Sequence, residues 1–175
     1  VFPAWRELAE RMHAYGARFF IQLSPGVGRV GSPECLTKKH RLPVSASWNP
    51  NFYLPAVPCR PLRDGECLKI IKNAGQAAAD ARALLIDGVY LHGHEGYLLE
   101  QMSNPAFNRR RWGRFAKWQN FGIELIKHIR ERCGAELVHG STAARHAIRD
   151  HSFLVSIDLN SIRSQFPILN GADGR

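Results

Sequence analysis

Four side chains that can exchange or donate protons follow one short apolar run. Residues 89–91 are β-branched or large and apolar, which is typical of a buried strand. Two glycines are interleaved with the polar residues that come next, which are His92, His94, Glu95 and Tyr97. Such groups at the carboxyl end of a strand are typical of an active-site rim in an α/β protein. A polar loop that is merely rich in histidine is an alternative that the spacing leaves open.

A second candidate is Gln22, which lies near the end of a predicted strand over residues 17–23. A side-chain amide at the end of a buried strand must find hydrogen-bond partners. Because it carries both donors and an acceptor, it could recognise the edge of a planar heterocycle. Neighbouring backbone groups could satisfy it equally well.

The remaining elements alternate along the chain in a way that predicts a parallel sheet. Apolar periodicity and stop signals predict helices over residues 3–16, 63–85 and 114–132, and a weaker strand over 136–139. Strands that alternate with helices indicate βαβ units in an α/β fold. A barrel and an open doubly wound sheet both satisfy this pattern. In either fold the carboxyl ends of the strands would bring Gln22 and the 92–97 loop to the same edge.

The proline-rich stretch between the first strand and the second helix needs its own interpretation. Residues 31–65 predict a long loop without regular structure, and such loops are usually functional or lids. We expect residues 43–61 to overhang the site and to influence specificity.

Composition excludes several classes of protein. The 175 residues make one domain or part of one, and no apolar run is long enough to span a bilayer. No signal pattern opens the chain, and the absence of an initiator Met predicts a start further upstream. The formal charge is +9, but the basic residues are scattered apart from a short cluster at 109–114, so nucleic-acid binding is disfavoured.

The four cysteines argue against a metal site. Cys35, Cys59, Cys67 and Cys133 are widely spaced and form no CxxC pair. A chain of this length without a signal pattern is not expected to carry a disulfide framework. We therefore predict free thiols and a cytoplasmic location.

Two stretches resemble the Old Yellow Enzyme family of NADH:flavin oxidoreductases. The first comprises residues 13–17, 21–24 and 28–31, and it is similar to the family's second-strand region. The second comprises residues 87–101 followed by 108–110, and it is similar to the third-strand motif. Its Glu-Gly-Tyr-Leu-Leu form resembles most the branch with 2,4-dienoyl-CoA reductase and the bile-acid-inducible enoate reductases.

The resemblance implies a partial (β/α)8 TIM barrel, roughly the second to fourth βα units, that binds FMN and takes reducing equivalents from NAD(P)H. It implies that Gln22 bonds the flavin's pyrimidine edge and that Tyr97 protonates the α-carbon of an activated C=C bond. Glu95 falls at the acidic position beside Tyr97, and His92 at a position that contacts the substrate's electron-withdrawing group. A phenol suits proton donation because it is protonated at neutral pH. The implied substrates are small enones, enoates or enoyl-CoA thioesters.

The chain also departs from the family pattern. Residues 111–114 are shortened, Lys117-Trp118 stands where the family has Asn-Arg, and residues 137–141 lack the expected arginine. We therefore divide the chain into a partial FMN-binding barrel, 1–134, and a divergent tail, 135–175. The ligands of an iron–sulfur cluster, which the larger branch carries, are not in this chain. An alternative is a truncated or divergent remnant that binds no flavin and self-associates through its open edges.

Overall fold

The computed structural model describes residues 2–93, 95–134, 136–137 and 154–157. Five helices and seven strands lie in these ranges. In chain order they are α1 (Phe2–Ala14), β1 (Phe20–Leu23), α2 (Cys35–Lys39), β2 (Val44–Ser45), β3 (Asn49–Pro50), β4 (Pro58–Pro61), α3 (Asp64–Ala83), β5 (Gly88–Leu91), α4 (Leu98–Ser103), α5 (Asn120–Cys133), β6 (Glu136–Leu137) and β7 (Leu154–Ile157).

The main sheet is parallel, as the alternation of strands and helices predicts. Its order is β1-β5-β7-β6, and β1 pairs with β5 from Phe20 opposite Gly88 to Leu23 opposite Leu91. β7 lies between β5 and β6 and pairs with both in parallel. The carboxyl ends of β1 and β5 therefore lie side by side.

One face of this sheet is covered by α3 and α5. The two helices approach closely where Gly75 meets the ring of His128, because a Cβ at residue 75 would lie 2.5 Å from the His128 ring. Their buried faces form the core with Val89 and Leu91 of β5; the larger helical contributors are Ile71, Phe121, Leu125 and Ile129. Because side chains alternate along a strand, Phe20 and Gln22 of β1 lie on the other face, where they are exposed.

The amino-terminal edge of the sheet is fixed by Asp87, which immediately precedes β5. Its carboxylate accepts hydrogen bonds from Phe19 N at 2.8 Å, from His13 Nε2 at 2.8 Å and from Arg18 Nη1 at 2.7 Å. Burial raises the pKa of Asp87, but the bonds from Phe19, His13 and Arg18 outweigh it and hold the pKa below its usual value. The stack of Trp5 on Phe19, 5.9 Å between ring centroids, adds a second contact between α1 and the sheet.

Each helix and strand predicted from the sequence overlaps an observed element. The α1 and α3 helices match their predictions closely, whereas β1 starts three residues late. The last helix starts at Asn120, not at residue 114, because Arg114 N donates to Asp64 and Arg114 O accepts from Asn120 Nδ2. The α4 helix follows the 92–97 loop without being predicted.

The prediction that residues 31–65 lack regular structure is wrong. α2 lies in this stretch, and β2, β4 and β3 form a second small sheet in that order. The amides of Asn49 and Asn51 are buried and bond neighbouring backbone; Asn51 Nδ2 donates to Gly31 O at 2.8 Å. These bonds tie down a segment in which the prolines cannot donate backbone hydrogen bonds.

No helix in the described ranges has the length and apolar character needed to cross a membrane.

Candidate active site

Gln22 and His92 meet at the carboxyl edge of the sheet. Gln22 lies one residue before the end of β1 and His92 one residue beyond β5, and His92 N donates to Leu23 O at 3.1 Å. Gln22 Nε2 lies 3.0 Å from His92 Nδ1. Since an amide nitrogen can only donate, Nδ1 is the acceptor, and the neutral imidazole carries its proton on Nε2. His92 is thereby oriented with a donor on its far side.

Tyr97 and Glu95 flank the same imidazole. The Tyr97 ring lies edge-on to the His92 ring, with centroids 4.5 Å apart. The carboxylate of Glu95 is 3.9 Å from His92 Nε2, and its side chain is two-thirds exposed. The three residues that the sequence placed in one loop, together with Gln22, therefore form one cluster.

The turn between His92 and Tyr97 has an unusual backbone. Glu95 has φ +59° and Gly96 φ +75°, so both residues are left-handed. This conformation is rare and strained for a residue with a Cβ. Strain of this kind in a loop at the carboxyl edge of a parallel sheet is typical of a functional site.

Two side chains of α4 hold this turn, and neither was predicted from the sequence to have a role. Glu100 Oε2 accepts from Gly96 N at 2.6 Å, and Gln101 Nε2 donates to Gly96 O. Both are essentially fully buried, at 1% and 0% exposure. A buried polar pair inside the apolar run of residues 98–102 is the signal that could have identified them.

A cavity of about 300 Å³ lies on the helical side of His92. Its walls come from the ends of β1 and β5 and from α3, α4 and α5, and they are mainly apolar; the largest contributors are Leu23, Ile70, Leu91, Leu99, Phe121 and Leu125.

In the arginine cluster at 109–114, Arg110 and Arg114 bond groups of the scaffold. Arg110 donates to Ala46 O at 2.7 Å and to Asp64 Oδ1 at 3.1 Å, and it also bonds Leu62 O. Arg114 pairs with Glu124 at 2.6 Å. His94 and residues 138–141 lie outside the described residues.

No cluster of three or more His, Cys, Asp or Glu side chains that could hold a metal occurs in the described ranges. Three of the cysteines are buried, and burial raises the pKa of the Cys67 thiol to about 11. A thiol of this kind is a poor nucleophile at neutral pH.

Gln22 lies on the sheet face opposite α3 and α5, where its side chain is exposed among the described residues. Its Oε1 has no hydrogen-bond partner among the described residues, and the paired residues Gln22 and Tyr90 share that face. The amide can therefore offer a donor and an acceptor to a planar ring.

A parallel sheet with helices on one face and polar side chains at its carboxyl edge is typical of an α/β barrel. The model of the NADH:flavin oxidoreductase / NADH oxidase family matches residues 2–156. The chain belongs to this family, which implies a flavin and a nicotinamide reductant.

Curated relatives agree with this assignment. The chain is 40% identical over 134 residues to cinnamate reductase of Clostridium sporogenes and 37% identical over 133 residues to NADH oxidase of Thermoanaerobacter brockii. Each match covers 74% of this chain and 20% of the relative. The chain thus spans about a fifth of the length of these two enzymes.

Solved structures confirm the fold. Old Yellow Enzyme from Pichia matches with a TM-score of 0.65 at 18% identity, covering 89% of this chain and 39% of that one. Morphinone reductase matches with a TM-score of 0.65 at 21% identity, covering 89% and 43%. The prediction of a partial TIM barrel is confirmed by these barrel enzymes.

Proposed function

We propose that the protein containing this chain is an FMN-dependent ene-reductase that takes reducing equivalents from NAD(P)H. The observation that carries the proposal is the Gln22–His92–Tyr97 cluster at the carboxyl edge of the sheet. Its groups are those that the reduction of an activated C=C bond requires on the protein side. Reduced FMN, when bound, supplies a hydride to the β-carbon of the substrate.

The proposed roles follow from the chemistry of each side chain. His92 Nε2–H donates a hydrogen bond to the carbonyl oxygen of the substrate and stabilises the enolate that develops there. Tyr97 gives its phenolic proton to the α-carbon, and solvent re-protonates the phenolate. Glu95 places a carboxylate beside the His92 ring. Hydride and proton together saturate the double bond.

Gln22 is proposed to hydrogen-bond the pyrimidine edge of the flavin, as its exposed amide permits. Substrates of the proposed class are enones, enoates or enoyl-CoA thioesters, and the name of the relative cinnamate reductase is in keeping with an enoate. An iron–sulfur cluster elsewhere in the full protein remains a prediction.

Substitution of Tyr97 tests the proton-donor assignment. In the flavin-loaded protein that contains this chain, we expect Tyr97→Phe to slow C=C reduction by about a hundredfold or more. Flavin reduction by NAD(P)H should be unchanged, because it needs no proton from Tyr97. Tyr15→Phe is the matched control, since Tyr15 is 91% exposed. Unchanged C=C reduction in Tyr97→Phe would contradict the assignment.

Flavin retention separates this proposal from that of a non-catalytic remnant. We expect Gln22→Ala to lower the fraction of flavin that co-purifies, measured by visible absorbance, relative to Gln119→Ala on the exposed start of α5. If the unaltered protein retained no FMN, the remnant would be the correct interpretation.

A further inference from the structure

Both peptide groups of Gly96 are held by buried side chains of α4. Glu100 receives its N–H and Gln101 donates to its carbonyl, and neither side chain is open to solvent. Burying a carboxylate and an amide costs free energy unless they are bonded. The bonds to Gly96 offset that cost, and they fix the orientation of a peptide that would otherwise rotate freely at a glycine.

The Gln101 amide is also the end of a directional hydrogen-bond chain from the proline-rich segment. Asn49 Nδ2 donates to Ser45 Oγ at 2.8 Å, and Ser45 Oγ donates to Gln101 Oε1 at 2.5 Å. Because Gly96 O can only accept, Gln101 must direct its nitrogen toward Gly96 and its oxygen toward Ser45. Asn49, Ser45 and Gln101 are all buried, so the chain lies where hydrogen bonds are strongest.

The backbone of Gly28 restricts the amide on a further side. A Cβ at residue 28 would lie 2.5 Å from Gln101 Nε2 and 3.1 Å from Leu98 N. The loop after β1 therefore packs directly on the Gln101 amide. Three segments, at residues 28, 45 and 96, meet at this one side chain.

We infer that Glu100 and Gln101 are positioning residues that set the Tyr97 ring against His92, and that Gln101 couples the proline-rich segment to the site. Gly96 directly precedes Tyr97, so the orientation of its peptide determines where the phenol is directed. The inference rests on the proposed role of Tyr97 for its effect on catalysis. Its effect on the His92–Tyr97 contact is independent of that role.

Gln101→Glu tests the inference with almost no change of shape. The substitution replaces the amide donor facing Gly96 O by a carboxyl oxygen, which repels the carbonyl when it is ionised, and keeps an acceptor for Ser45. Because burial favours the protonated acid, the fall in kcat relative to Gln119→Glu should grow as the pH rises. Gln119→Glu makes the same atomic and charge change at an exposed site and is the matched control. We expect Gln101→Glu to lower kcat about tenfold or more, with KM for NAD(P)H unchanged.

The second readout is the imidazole NMR spectrum of His92, assigned by its loss in His92→Gln. Gln101→Glu should shift these resonances because the Tyr97 ring leaves its position at 4.5 Å, whereas Gln119→Glu should not. Resonances and kcat that match those of Gln119→Glu would overturn the inference. A shift in the resonances in a protein whose Tyr97→Phe variant is fully active would sustain the positioning and refute the proposed proton donor.

A second variant decides the matter if Gln101→Glu does not fold. Ser45→Ala removes the donor to Gln101 Oε1 and leaves the contact with Gly96 in place. We expect a smaller change of the His92 resonances in the same direction and a smaller fall in kcat. Ser45→Ala with an unaltered spectrum and kcat would overturn the coupling to the proline-rich segment.

Discussion

The two edges of the parallel sheet differ in how they affect the stability of the fold. At the amino-terminal edge, Asp87 receives three hydrogen bonds that tie α1 and β1 to β5. At the carboxyl-terminal edge, Gly28, Glu95 and Gly96 all have positive φ, and the carboxylate of Glu95 is mainly exposed. Polar groups stabilise the first edge, whereas the second edge holds a particular loop shape that lowers the stability of the fold.

This contrast explains how one short strand can serve both purposes. β5 is four residues long, with Asp87 before it and His92 after it. Barrel enzymes generally place stabilising contacts at the amino-terminal face and chemistry at the carboxyl-terminal face. Substitutions at the two edges should therefore separate stability from activity.

The largest effect on stability is expected at Gly28. Gly28→Ala places a Cβ 2.5 Å from Gln101 Nε2 at φ +113°, so it combines a clash with a strained backbone. We expect a loss of about 3 kcal/mol in the free energy of unfolding, measured with urea. Gly65→Ala is the control, because its Cβ meets nothing within 4 Å in the first turn of α3 and should be neutral or stabilising. Equal effects of the two substitutions would mean that the carboxyl edge is not tightly shaped.

Removal of the Asp87 charge should affect stability with little effect on the chemistry. Asp87→Asn weakens the bonds from His13 and Arg18 and leaves a poorer acceptor for Phe19 N. We expect a loss of about 2 kcal/mol, while kcat per folded molecule stays within twofold of the wild-type value. Asp80→Asn, at a less buried position on α3, is the control. A large fall in kcat would break the separation between the two edges.

The difference in stability between wild type and Asp87→Asn should depend on pH. The pKa of Asp87 is lower in the folded protein than in the unfolded one, so its stabilisation is complete above the unfolded value of about 3.9 and is lost as the pH falls through the folded value. The difference in unfolding free energy between wild type and Asp87→Asn should therefore be constant at neutral pH and should narrow in acid. Glu66, whose pKa Arg60 lowers to about 2, is present in both proteins and cancels. A difference that widened in acid would contradict a lowered pKa of Asp87 in the folded protein.

The sequence predicts the fold and the members of the cluster better than the contacts between them. Apolar periodicity is a property of single elements, and it placed α1, α3 and β5 well. The neighbourhood of Gln22 and the 92–97 loop followed from the parallel order of the strands. Their 3.0 Å contact depends on the orientations of two side chains at the strand ends, which apolar periodicity does not specify.

What escaped prediction depends on contacts between distant segments. The small sheet of β2, β3 and β4 is held by buried asparagines and by Arg110, residues whose types read as loop or surface. Glu100 and Gln101 lie in an apolar run where nothing local shows that Gly96 is their partner. In both cases the contacts are made by buried polar side chains, whose partners apolar periodicity does not predict.

The smallest expected effect concerns the strained residue of the site. Glu95→Gly should relieve the φ of +59° and raise the free energy of unfolding by up to about 1 kcal/mol. Glu95→Gln keeps the strain and removes the charge, so it separates the two contributions. If the shape of the carboxyl edge serves function and destabilises the fold, Glu95→Gly should be more stable than Glu95→Gln. C=C reduction by Glu95→Gly should be no faster. Equal stability of the two variants would show that the left-handed backbone of Glu95 does not destabilise the fold. The contrast between the two edges would then rest on Gly28 and Gly96 alone.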